Sequence, residues 1–209
     1  MSDEQLDLYP EIRKCIRMGD MIGMSDNSLV ARATRWATKG DISHVGMVYR
    51  ASRVKRDMVL LVEAEKSGML SGMIDFSRLS RRVMDYSKSG GRVWWFPLSK
   101  NSRRKFDAEA FRSECLRHDG VAYSLKQALM SVLAVRSNPV SHRLICSSSV
   151  ALAYKEAGIL PTDLNHSEAT PQDLVRAKLW KKCVQIVGTP LGRDPEGFNS
   201  IDPKALEVD

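Results

Sequence analysis

Residues 43–65, SHVGMVYRASRVKRDMVLLVEAE, hold two runs rich in β-branched and apolar side chains, SHVGMVYR and DMVLLVEAE, parted by the charged stretch ASRVKR. That is the pattern of two antiparallel strands joined by a long loop. Alternation puts His44 and Gly46 on one face of the first strand, and Glu63 and Glu65 on one face of the second. In an antiparallel pair the start of the first strand faces the end of the second. A turn near Arg53 and Val54 therefore sets His44 opposite Glu63, with Glu65 two residues on and on the same face. A carboxylate so placed fixes an imidazole tautomer and stabilises its charged form. The plainer alternative is that LVEAE leaves the sheet carrying two solvated carboxylates. Gly46 is expected to leave space beside the histidine for a side chain or a substrate.

Outward from this hairpin, GDMIGMSD follows an opening helical stretch and reads as a strand and turn. NSLVARATRWATKG reads as an amphipathic helix running from an Asn or Ser cap to a stop at Gly40. GRVWWFPL is a further strand, ended by Pro97, and FDAEAFRSECLRH and SLKQALMSVLAV have helical spacing of apolar residues. SSSVALAYKEAG is a helix closing on Gly158, TPQDLVRAK a helix with Thr170 as cap and Pro171 in its first turn, and CVQIVG a last strand. The elements predict an α+β fold, a central antiparallel sheet or small barrel packed by helices. They fit a single domain over residues 1–209, with its core at about 18–188 and an irregular tail at 189–209.

The chain has 209 residues, 43% of them apolar, and a formal charge of +7. Its longest apolar stretches, such as MVLLVEA, fall well short of the roughly 18 residues that mark a membrane span. The acidic opening MSDEQLDLYPEIRKC is unlike a signal peptide. No transmembrane helix and a cytoplasmic location are expected. The four cysteines, Cys15, Cys115, Cys146 and Cys183, form no CxxC pair. They are expected to be free thiols, neither a zinc site nor a disulfide framework. The basic clusters RVKR at 53–56, RR at 81–82 and NSRRK at 101–105 read as solvated surface, with contact to an anionic polymer or membrane face as the alternative. No aromatic residues interleave with them, so no specific nucleic-acid partner is expected.

Cys146, in ICSSSV at 145–150, stands out because Val150, Tyr154 and Ala157 follow it at helical spacing. The thiol therefore falls at or just before a first helical turn, where free backbone N–H groups and the helix dipole stabilise a thiolate. The same N–H groups can receive an oxyanion. Against this stands the ordinary fate of a free cysteine, which is inert burial. A thiol nucleophile needs an imidazole, and there are four histidines. His118, at a helix end, and His166, in DLNHSEAT, read as exposed loop residues, and His142, in NPVSHR, as a surface residue. His44 is the candidate base. The small residues Gly46 and Ser147 to Ser149 suggest an open approach to the thiol. Together with the charge of +7, this suggests an anionic acyl or peptide-like donor.

GD at 19–20, SHVGMVYR at 43–50, LVEA at 61–64, GVAY at 120–123, CSSSVALAYKEAG at 146–158 and TPQDL at 170–174 together resemble the permuted NlpC/P60 superfamily, in particular its YiiX/YaeF-like papain-fold hydrolases. In that group the histidine strand precedes the cysteine helix. The resemblance implies a circularly permuted papain-like fold with Cys146 as nucleophile, His44 as base and Glu63 as the polar third member. Tyr123 matches the tyrosine of a Gly-Lys-Pro-Tyr-Asp-like segment, although GVAYSL lacks the lysine, proline and aspartate. It implies a cysteine hydrolase, an amidase, peptidase or esterase, working through an acyl-thioester. The backbone at Cys146 and Ser147, with Tyr123, would serve the oxyanion and substrate, and no metal or organic cofactor is required. Lecithin–retinol acyltransferase-like enzymes share the permuted order, so transfer between lipids is an alternative, with IDFSRL or SLKQALMSVLAV as apolar access. An inactive papain-like module that binds an acyl or peptide ligand is another. The sequence leaves the acyl donor, the acceptor and the oligomeric state open.

Overall fold

A computed structural model describes residues 6–52, 58–66, 71–124, 146–196, 201 and 203–207. In chain order its elements are β1 (Leu6–Asp7), α1 (Tyr9–Ile12), β2 (Met21–Ser25), α2 (Leu29–Thr38), β3 (His44–Ser52), β4 (Met58–Lys66), β5 (Ser71–Arg78) and α3 (Leu79–Lys88). There follow β6 (Arg92–Phe96), α4 (Lys100–Lys105), α5 (Ala108–Arg117), β7 (Ala122–Ser124), α6 (Cys146–Glu156), α7 (Pro171–Arg176) and β8 (Val184–Gly188), with short 3-10 turns at His166–Glu168 and Pro203–Leu206. The strands form one antiparallel sheet in the order β1-β8-β6-β2-β3-β4-β5-β7. The fold is α+β. The short strands β1 and β7 are the two edges, so the sheet among the described residues is open and the expected small barrel is not formed. No described helix is long and apolar enough to cross a membrane.

Strand alternation splits the core between the two faces of the sheet. Met21, Val45, Met47, Val62, Ile74, Trp94 and Phe96 meet Phe111 of α5, Val150 and Tyr154 of α6, and Leu174 of α7 on one face. Ile22, Met24, Val48, Val59, Leu61, Val93 and Ile186 meet Tyr9 of α1 and Leu79, Val83 and Tyr86 of α3 on the other. Strands such as β2, MIGMS, are buried along their whole length because both faces are covered. Ile74 and Leu79, the apolar ends of IDFSRL, are core residues, and Phe76 between them is partly buried. SLKQALMSVLAV, apart from Ser124, lies outside the described residues, as does the hairpin loop at 53–57.

The helix ends follow local chemistry. Ser28 caps α2 by accepting from the Ala31 N–H at 3.3 Å, and Thr170 and Asp173 form a reciprocal capping box at α7. Where α2 stops, the left-handed residue is Lys39 (φ 46°), not Gly40. Gly40 is needed for a different reason, because a Cβ there would lie 2.0 Å from Nε2 of the buried Gln172. Described residues after β8 contact the rest of the fold, although 189–196 form no helix or strand: Arg193 pairs with Asp41 at 2.7 Å, the Ile201 N–H donates to Asp173 at 3.0 Å, and Leu206 sits in the core.

A buried carboxylate joins the first core strand to its neighbours. Asp20 accepts hydrogen bonds from the Arg17 N–H (2.8 Å), the Leu98 N–H (2.9 Å) and the Trp95 indole (2.9 Å), and is ion-paired with Arg103. Arg103 comes from NSRRK, so that cluster is not uniformly solvated surface. Arg103, the first of its three cations, is partly exposed and pairs with a carboxylate that is itself buried. Removing one partner of such a pair strands the other. Asp20→Ala should lower the unfolding free energy in urea by about 3 kcal/mol, whereas Arg104→Ala, at an exposed neighbour, should change it by less than about 0.5 kcal/mol. Equal midpoints for wild type and Asp20→Ala would contradict this role.

Candidate active site

The site lies in a fork of the sheet. β3 and β4 pair from Ser52↔Met58 to Gly46↔Glu63, with a one-residue bulge at Tyr49, and their ladder ends there. Both strands continue. His44 and Val45 remain paired with Met24 and Gly23 of β2, and Ala64, Glu65 and Lys66 with Ile74, Met73 and Gly72 of β5. Val45 and Ala64 would be the next partners across the fork. They do not pair, and the Val45 N–H instead bears on the Cys146 thiol and favours its anion. The start of α6 occupies the fork. Cys146 packs there with Ala64 and Val30.

The pairing differs by two residues from the expected one, since Gly46 and not His44 stands opposite Glu63. The side-chain period of a strand is two, so this displacement keeps both residues on the same face. The diagonal contact is within reach of long side chains. His44 Nε2 lies 2.9 Å from Glu63 Oε2. This leaves Nδ1 for the thiol, and His44 and Cys146 are hydrogen-bonded through their side chains. Gly46 does not open a path for substrate. A Cβ there would sit 3.1 Å from the Cβ of Glu63 and 3.3 Å from the Val62 carbonyl, so its missing side chain lets Glu63 approach β3. The serines do not line an open cleft either. Ser147, Ser148 and Ser149 are all buried, and the Ser147 hydroxyl donates to the Ala169 carbonyl at 2.6 Å. The Ser147 backbone N–H serves the thiol.

The electrostatics follow from burial and charge together. Burial by itself pushes the Cys146 thiol up, but the His44 charge and hydrogen bond, with the N–H groups of Val45 and Ser147, bring it below the ordinary thiol value. Burial disfavours charged His44 too, yet the Cys146 thiolate and the Glu63 carboxylate raise it to about 9. Glu63 is held below the usual carboxylate range. Burial opposes this, and the His44 bond and charge, the Arg82 charge and the Ser77 hydroxyl outweigh burial. The favoured state is a thiolate–imidazolium pair backed by a carboxylate.

Two supporting side chains had no signal in the sequence. Ser77, on β5, donates to Glu63 Oε1. Arg82, on α3, brings its Nε to 2.8 Å from the same oxygen and stacks over Tyr86 at 5.4 Å. RR at 81–82 therefore splits into an exposed Arg81 and a largely buried Arg82. His118 and His166 are half-buried rather than exposed, His118 against Glu114 at 3.3 Å and His166 at the start of a 3-10 turn. Tyr123 lies in β7 opposite Gly72, and its side chain, like that of Glu65 and the whole of His142, lies outside the described residues. Among the described residues, no group of three or more His, Cys, Asp or Glu is placed to hold a metal ion.

No protein-family model matches the chain, and no curated protein matches it. Among solved structures it is similar to one titled "Crystal structure of metalloprotein yiiX from Escherichia coli O157:H7, DUF1105", with 18% sequence identity, 82% of this chain and 88% of that chain covered, and a TM-score of 0.47.

Burial and adjacent acidic groups push two other thiols, Cys115 and Cys183, up to about 12. In the folded protein at about pH 6, where ordinary thiols are protonated, iodoacetamide should modify Cys146 first, and His44→Ala should remove that preference. Modification of Cys115 or Cys183 ahead of Cys146, read by peptide mass spectrometry, would contradict the described electrostatics.

Proposed function

We propose that the protein is a papain-like cysteine hydrolase or acyltransferase of the permuted kind, acting on an amide or ester. The observation that carries this reading is the placement of Cys146, His44 and Glu63 together in the fork, where the surroundings bring the thiol below its ordinary value. The chain order supports it: histidine strand first, then carboxylate strand, then cysteine helix.

In this mechanism the Cys146 thiolate attacks the substrate carbonyl and forms a C–S bond, and the carbonyl electrons move onto oxygen. The backbone N–H of Cys146, the N–H groups beside the thiolate and the Tyr123 hydroxyl are the donors we assign to that oxyanion. As the tetrahedral adduct collapses, the C–N or C–O bond breaks and His44 gives its Nδ1 proton to the leaving amine or alkoxide. The product is an acyl-thioester on Cys146 and a neutral His44. His44 then takes a proton from water, or from an acceptor alcohol or amine. The resulting attack releases acid or transferred acyl group and regenerates the thiolate–imidazolium pair. Glu63 keeps Nε2 protonated throughout and so directs Nδ1 at the chemistry.

Hydrolysis and transfer differ only in the acceptor. Ala64 and Val30 pack beside the thiol, and we assign them an apolar contact with the acyl group, in place of the anionic donor suggested by net charge.

Turnover of a p-nitrophenyl ester series tests this reading. Wild type should hydrolyse the esters, with rates falling as pH rises through about 9, where His44 loses its proton, and again as pH falls through the lowered Cys146 value. Cys146→Ala and His44→Ala should each lose roughly 10³-fold or more in kcat, and Glu63→Gln roughly 10- to 100-fold. Hydrolysis that survives Cys146→Ala would defeat the proposal, and a preference for an acidic acyl group over a hexanoyl group would defeat the apolar reading of the donor.

A further inference from the structure

Glu63 has no exposed side-chain surface, and its two oxygens are divided between different cations. Oε2 faces His44 Nε2 at 2.9 Å. Oε1 faces Arg82 Nε at 2.8 Å and also accepts from Ser77. Arg82 is only 16% exposed at its side chain and lies over the Tyr86 ring, so its position is fixed by α3 and not by solvent.

This division has a chemical consequence that rests on the proposed relay. During one catalytic cycle His44 must pass from imidazolium to neutral imidazole and back. Without a second cation, the neutral stage would leave a fully buried carboxylate unpaired, a costly state that proton uptake by Glu63 would relieve. A protonated Glu63 could no longer hold His44 in one tautomer. An arginine does not lose its proton in a protein, so it supplies a permanent counter-charge while the histidine charge comes and goes. We propose that Arg82 is a positioning residue for His44, acting through Glu63: it keeps Glu63 ionised in both protonation states of the histidine and limits how tightly the carboxylate holds the proton on the ring.

Among the described residues, the other groups around this pair are few. Cys146 of α6 faces His44 from the fork, Tyr86 of α3 lies beneath Arg82, and Asp75 stands opposite Glu63 on β5 but is exposed. Asp26, before α2, acts on Tyr86. Arg82 is the cation among them, besides His44 itself, that bears on Glu63. Taking away the Arg82 charge raises the proton affinity of both His44 and Glu63, and the His44 midpoint rises as long as Glu63 remains ionised across it.

The test is the titration of His44, followed through its ring resonances in substrate-free protein and assigned by their loss in His44→Ala. Arg82→Met keeps an apolar stem over Tyr86 and removes the charge, and should raise the His44 midpoint by about one pH unit. Arg82→Lys keeps the charge, though not the guanidinium geometry, and should leave the midpoint within about a third of a unit of wild type. A purely structural Arg82 would lower stability in both variants without moving the titration. An unshifted midpoint in folded Arg82→Met, or an equal shift in both variants, would overturn the proposal. Because the titration needs no turnover, it stands apart from the ester assay: an inactive protein with the predicted shift would reject the hydrolase reading and keep the Arg82 coupling, and the reverse result would do the opposite.

Discussion

The separation of β3 from β4 beyond Gly46 and Glu63 is the constraint on which the rest of the site depends. A continued ladder would pair Val45 with Ala64 and close the space in which the thiol sits. In the fork each strand keeps its outer partner, β2 or β5, so the opening costs few backbone hydrogen bonds, and the Val45 N–H favours the thiolate. The fork also joins the two layers of the fold. Cys146 belongs to α6, which packs on the face lined by Val45, Met47 and Val62, while His44 and Glu63 belong to the α3 face. The sheet would otherwise keep the thiol and the imidazole apart.

Charge compensation sets how those groups behave. Cys146, His44, Glu63 and Arg82 alternate in sign when the thiol is ionised, so a set of buried charges that would be prohibitive singly is neutral together. A second such pair, Asp20 with Arg103, ties β2 to β6 and α4 at a distance in sequence. In both pairs the buried member is a carboxylate and the cation is a partly exposed arginine from a basic cluster. The two pairs cancel within the formal charge of +7, so the whole positive excess belongs to the other residues.

Much of this was legible in the sequence, for physical reasons that differ by element. β3, β4 and β6 announced themselves by β-branched and aromatic runs, and α2 and α7 by their caps. Glu63 could be placed on the face of His44 because strand parity survives a two-residue error in register. The register itself was not legible. It depends on the bulge at Tyr49 and on a loop whose length does not fix its turn. β5 and α3 run together through DFSRLSRRV, where polar residues dilute the pattern, so Ser77 and Arg82 could not be assigned to the site. Gly46 was read as space for a side chain or a substrate because a missing side chain is visible in sequence, whereas the choice between them, settled by the Glu63 side chain, is not. The fork, the end of a pairing, leaves no mark in composition or periodicity.

The most direct test of the account is the pH dependence of thiolate absorbance near 240 nm, taken as the difference between wild type and Cys146→Ala and repeated in a His44→Ala background. The account predicts that the Cys146 thiolate forms well below about 8.5, the ordinary thiol value, and that this early ionisation vanishes without His44. A Cys146 that ionises at or above that value in wild type, or that ionises early whether or not His44 is present, would contradict the thiolate–imidazolium pair.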